Sequence, residues 1–445
     1  MNSRFGFFGQ VARSASKLPE RMPNQRVDLN MPALPRLLLL AFCSVLLTSC
    51  EGSGGGNRPP VVIEGTGVER IDIAMNDMMD RYAPPGIAVA VVRNGQLVVA
   101  NAYGSADLAG LEPLRPDHLF RVASVSKPVT GIAALKAIED GLLDADTAVF
   151  DILASYVPAT GADPRLSLMK VRHLLHHTSG WHFYDYPDDP LFRSKEIGDA
   201  LGASLPLSSE TLVRWVALQP LAFDPGADFA YTNIGYVALG RVIEASTGFG
   251  YEDFVRQFVL EPAGITRSRL GGISRAARAA DEVEYESFQN SIWKSVFDGT
   301  TIVPEPAYGG INLVGFDASS AWLFSAVDLV RLAAAADGDD AYPDVISLKS
   351  VELMTAVGTP AGTPRLGVAW FLGTDFEGNV NTWNHSGGMP GTSSYLARLP
   401  TGVIIAVVSN TAREQDFFRD LIVSLTTAVE GITDWPQTDL FPLYQ

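Results

Sequence analysis

Gly86 to Gly104 reads GIAVAVVRNGQLVVANAYG, two apolar, β-branched runs flanking Asn94-Gly95. A two-residue Asn-Gly break between such runs predicts a β-hairpin. Before it, Gly67–Tyr82 carries a helical pattern that Pro84-Pro85 stops. Lys127–Asp140 predicts an apolar helix, KVRHLLHHTSG a short helix ending at Gly180, and SAVDLVRLAAAA near 325–336 another. From 181 to 330 helices mix with loops rich in Pro and Gly. Near the end GVAWFLG, NVNTWNH, SSYLARLP and GVIIAVVSN predict successive antiparallel strands. EQDFFRDLIVSLTTAVEG then closes as an amphipathic helix, with Phe417, Phe418, Leu421, Ile422 and Leu425 on one side. Strands at both ends and helices between them predict an α+β fold. One antiparallel sheet is built from both termini and flanked by helices, and a mostly helical lobe is inserted. The junction of two lobes is a usual place for a site.

Composition fits a globular protein: 445 residues, 47% hydrophobic and 19% charged. The formal net charge is −17, and the first fifty residues are net basic, so the rest is more acidic still. That balance, with no basic stripe, argues against nucleic acid as a partner. Arg36 precedes LLLLAFCSVLL, too short to span a bilayer but right for a signal h-region. LTSC, Leu47–Cys50, resembles a bacterial lipobox, which implies lipidation at Cys50. Residues 1–50 are thus expected to be a signal segment, with Met31 an alternative start. Residues 51–65, opening EGSGGGNRPP, read as a tether, 66–432 as the folded domain and 433–445 as a tail. The expected location is the bacterial cell envelope, anchored to the membrane by lipid. Glu51, in place of Asp, favours the outer membrane. Cys43 and Cys50 are the only cysteines, so no cysteine nucleophile or cysteine metal site is expected in the mature chain.

Candidate chemistry begins at FRVASVSKPVT, Phe120–Thr130. Residues three apart share a helix face, so Ser124 and Lys127 can touch. A serine hydroxyl needs a base, and a lysine serves only when neutral, which burial favours. Pro128 suits the first turn of a helix. A plain capped helix start explains the same residues, and Ser126 is a rival nucleophile on another face. His173, His176 and His177 have zinc-like spacing but also read as a polar helix end. Asp144 and Asp146 read as a turn rather than a calcium loop.

Two later stretches bear on that choice: FAYTNIGYVALG, with Tyr231 and Asn233, and NHSGG, with His385, Ser386, Gly387 and Gly388 between predicted strands. S-x-x-K, then Y-x-N, then a basic or imidazole residue followed by hydroxyl and Gly resembles the class C β-lactamase-like serine enzymes. These include D-alanyl-D-alanine carboxypeptidases and β-lactamase-fold esterases. The resemblance spans roughly 66–430 and implies a β-lactamase/transpeptidase-like fold. It also implies roles. Ser124 is the acylated nucleophile, Lys127 and Tyr231 move its proton, and Asn233 binds Lys127 and the substrate. His385, Ser386, Gly387 and Gly388 form the facing strand, with the N–H groups of Ser124 and Gly388 as the oxyanion hole. No metal and no cofactor is implied. His385 stands where many β-lactamases carry lysine, so a fixed positive charge is missing. The expectation is a serine hydrolase acting on a small ester, D-amino-acid peptide or β-lactam, with an esterase or peptidase favoured. A β-lactamase, or a non-catalytic anchored binding protein, is the alternative. An α/β-hydrolase requires a G-x-S-x-G elbow, which the chain lacks.

Overall fold

The computed structural model describes residues 62–158, 160–183, 189–287, 293–413 and 415–444. The signal segment, Cys50 and most of the tether lie outside them. Helix α1, Glu69–Tyr82, ends where Ala83 turns left-handed ahead of the two prolines. Strands β1, Gly86–Arg93, and β2, Gln96–Gly104, follow as the expected hairpin. Asn94 and Gly95 have φ of 51° and 69°, the positive pair a tight type I′ turn requires. The C-terminal half supplies β3, Phe371–Thr374, β4, Val380–Met389, β5, Thr392–Arg398, and β6, Ile404–Ser409. They join one six-stranded sheet in the order β2-β1-β6-β5-β4-β3. The pairings between β1 and β6, Ile87 opposite Ser409 through Val92 opposite Ile404, bring the two ends of the chain together. The fold is α+β, with one antiparallel sheet built from both ends of the chain, as expected.

Alternation along β1 sorts its side chains onto two faces. Ile87, Val89 and Val91 pack with Ile71, Met75, Phe417, Leu421 and Leu425, the apolar sides of α1 and the C-terminal helix 415–430. Ala88, Ala90 and Val92 face the larger core built with the helical lobe. That lobe contributes α2, Ser126–Glu139, and α3, Asn233–Thr247, both almost wholly buried. A helix apolar all round has to run through the middle of a core.

Three sequence expectations need correction. The helix in KVRHLLHHTSG covers Val171–Leu175, not up to Gly180. His177 takes φ 55°, which no α-helix allows, and the chain turns away. Only the end of GVAWFLG is a strand, because Ala369 has φ 65° and breaks the extended run before Phe371. NHSGG does not separate two strands but lies inside β4, paired with β5 from Trp383 to Met389. In residues 433–444 Leu440 N donates to Leu97 O at 2.9 Å, and Phe441 is buried.

Candidate active site

Ser124 lies in a single 3₁₀ turn, Ala123–Val125, that runs directly into α2. Ala123 has φ 47°, a costly conformation for a residue with a Cβ. Strand β4 presses on this turn. A Cβ on Gly387 would sit 2.2 Å from Val122 O and 3.1 Å from Ser124 N, so only glycine lets the strand approach so closely. Gly388, next along, is exposed and open.

Lys127, on the first turn of α2, is fully buried. Its Nζ lies 3.1 Å from Ser124 Oγ, 2.8 Å from Asn233 Oδ1 and 3.1 Å from Ser319 O. Asn233 opens α3, and Tyr231 lies two residues before it, so the Y-x-N stretch is the entry of one helix. Lys127 Nζ stands 4.8 Å above the Tyr231 ring centroid. Burial lowers the Lys127 ammonium to about 7, with the Asp189 carboxylate partly holding it up.

Ser126 is also buried, and its Oγ accepts the Trp322 N–H at 3.2 Å, which ties α2 to the neighbouring strand. Its hydroxyl serves the backbone. His385 is buried on β4, with Nδ1 2.7 Å from Ser386 O. A carbonyl only accepts, so Nδ1 carries the proton and Nε2 keeps a lone pair. Among the described residues Nε2 has no partner. Burial, helped by the Lys127 charge, pushes His385 down to about 3, so the ring is neutral. Ser386 lies on the other face of β4, opposite Tyr395 in register, and away from the Lys127 cluster. Its carbonyl still fixes the His385 tautomer.

Two residues of this cluster escaped sequence reasoning. His177 stacks on Tyr231 with centroids 4.3 Å apart and lies 4.9 Å from Tyr236. Its Nδ1 accepts the Thr232 N–H at 3.2 Å, so it seats the Tyr231–Asn233 stretch from behind. The three histidines do not converge: His173 accepts from Lys170 N, and His176 sits on Gly367 O. Among the described residues no group of His, Cys, Asp and Glu could hold a metal ion. Asp189 is the second, a fully buried carboxylate that accepts from Asn233 Nδ2 at 3.0 Å. Nothing in the polar run DYPDDP marks this aspartate as different from its neighbours.

The Beta-lactamase family model matches residues 71–427. Penicillin-binding protein 4* of Bacillus subtilis is 27% identical over 321 residues, covering 70% of this chain and 64% of that protein. Esterase EstB of Burkholderia gladioli is 32% identical over 203 residues, covering 44% of this chain and 50% of that protein. The chain thus spans between half and two thirds of the length of these relatives. A solved D-amino acid amidase from Ochrobactrum anthropi superposes with a TM-score of 0.62 at 21% identity, covering 80% of this chain and 96% of that one. That likeness is one of fold. With a match across most of its length, the chain belongs to the Beta-lactamase family.

Proposed function

We propose that this protein is a serine hydrolase that forms an acyl-enzyme on Ser124 and cleaves esters or amides without a carboxylate on the leaving-group side. One observation carries the reading: the surroundings of the Lys127 amine. A neutral amine has two N–H donors and one lone pair. Asn233 Oδ1 and Ser319 O can only accept, and they take the two donors. The lone pair is left for the neighbour that can donate, the Ser124 hydroxyl 3.1 Å away. Burial keeps the neutral form populated near pH 7.

In the proposed sequence Lys127 takes the Ser124 proton as Oγ attacks the substrate carbonyl. The N–H groups of Ser124 and Gly388 receive the developing oxyanion, where each donor is typically worth about 10²–10³ in rate. Tyr231, beside the new ammonium, gives its phenol proton to the leaving group and takes back the one that Lys127 holds, so amine and phenol are both restored. Water then releases the acyl group. Lipid anchoring at Cys50, read from LTSC, would hold the enzyme at the cell envelope.

His385 supports this substrate class. A buried, neutral ring offers a carboxylate no positive partner at this strand. The name of esterase EstB agrees with this class, while that of penicillin-binding protein 4* points to a carboxylate-bearing ligand, so the two are set against each other in one panel. The test is a panel of p-nitrophenyl esters, D-amino-acid amides, nitrocefin and a D-Ala-D-Ala peptide. Esters or amides are expected to exceed the two carboxylate-bearing substrates in kcat/KM by about 100-fold, the worth of one charge-assisted hydrogen bond. Nitrocefin turned over as well as the best ester would overturn this substrate class. A folded protein inert to all four would favour a binding role.

A further inference from the structure

Asp189 is a buried carboxylate that none of these steps uses. Its Oδ2 accepts from Asn233 Nδ2 at 3.0 Å and its Oδ1 from Leu191 N at 2.8 Å. Asn233 Oδ1 accepts from Lys127 Nζ at 2.8 Å, so an unbroken chain runs from Asp189 through Asn233 to Lys127 and Ser124. An asparagine amide can turn either way, and its neighbours decide. An ionised Asp189 only accepts, so it takes the NH₂ end and leaves the oxygen to the lysine. We propose that Asp189 is a positioning residue of the base: it holds the Asn233 amide with its oxygen on Lys127, and it supplies the countercharge for the ammonium formed when Ser124 is acylated. This rests on the Ser124–Lys127 reading above.

The other groups around Lys127 carry no competing charge. His177 and His385 are both held well below their usual range by burial, and Tyr231 and Tyr236 present ring faces. Ser124 and Ser319 contribute a hydroxyl and a carbonyl. Among the described residues Asp189 is the carboxylate whose charge acts on Lys127. Burial raises Asp189 to about 6, and the Leu191 N–H, Asn233 and the Lys127 ammonium each pull it back. The carboxylate is therefore ionised at neutral pH and favours the charged lysine. Removing that charge must move Lys127 titration toward lower pH.

The test uses Asp189→Asn, which keeps the shape and an acceptor but removes the charge. Protein with ¹³Cε-labelled lysine is titrated by NMR, the Lys127 signal being assigned by its loss in Lys127→Met. The Lys127 midpoint is expected to fall by about one pH unit. The ascending limb of the rate of fluorophosphonate labelling should move by the same amount. A purely structural aspartate would lower the rate without moving either midpoint. An unchanged Lys127 midpoint in folded Asp189→Asn overturns the proposal. If that variant does not fold, the ¹³Cγ signal of Asp189 in the wild type is followed instead. Its response to the Lys127 titration supports the coupling, and its indifference refutes it. Failure of the Ser124 reading is seen separately, as label on a different residue of the wild type. The NMR titration still reports on Asp189 in that case.

Discussion

Lys127→Met is expected to slow acylation of Ser124 by about 10²–10⁴, the usual worth of a positioned general base. Methionine fills a similar volume in a fully buried site, but it leaves Asn233 Oδ1, Ser319 O and the Asp189 charge without the amine, so the variant is expected to be less stable and its fold is checked by circular dichroism before its rate is read. The wild type should show the matching pH dependence. Only the neutral amine accepts a proton, and its population rises as pH passes the Lys127 value of about 7. kcat/KM is therefore expected to climb about tenfold per pH unit below about 6 and to level above about 8. The variant should lose that limb together with the rate. Stopped-flow labelling with a fluorophosphonate across pH 5–9 measures both. A variant that acylates like the wild type, or a wild-type limb centred near pH 4, would show that another group is the base.

The second large effect concerns stability. Arg121 and Glu282 are an ion pair with both side chains at 0% exposure, Nε to Oε1 at 3.2 Å. Arg121 also donates to Gly272 O at 2.9 Å and to Ala307 O. Glu282 accepts from Tyr285 OH at 2.9 Å and from Ala279 N at 3.0 Å. The Arg121 carbonyl accepts from Thr392 Oγ1 at 2.7 Å, which ties this pair to β5 three residues before Ser124. Glu282→Leu leaves a buried guanidinium without its countercharge, and such a loss costs about 3–5 kcal/mol. The double variant Arg121→Met/Glu282→Leu is expected to recover most of it, because no charge is then stranded. Urea unfolding reads both. A single variant within about 1 kcal/mol of the wild type would mean that the pair is not the clamp described.

The sequence was most informative where local chemistry decides the shape. Asn94-Gly95 predicts its turn because both residues tolerate positive φ, and the runs on either side pair as expected, although a bulge between Val91 and Val92 shifts the register in a way the pattern does not show. Ser124 and Lys127 meet because three residues of helical rise bring them together, and Tyr231 and Asn233 because both stand at one helix entry. Reasoning fell short where a residue's surroundings come from far along the chain. Asp189 gains its meaning from Asn233, 44 residues on, and its own stretch reads as an ordinary polar loop. His177 looked like the end of a polar helix. It is a ring held against Tyr231 and Tyr236, and its left-handed backbone is why the helix stops at Leu175. Arg121 and Glu282, 161 residues apart, gave no sign that they would be buried together.

The most direct measurement is to label the protein with a fluorophosphonate and map the modified peptide by mass spectrometry. The chemistry derived from Lys127 and its neighbours predicts one adduct, on Ser124, absent from Ser124→Ala. An adduct on Ser126, or labelling undiminished in folded Ser124→Ala, would contradict it.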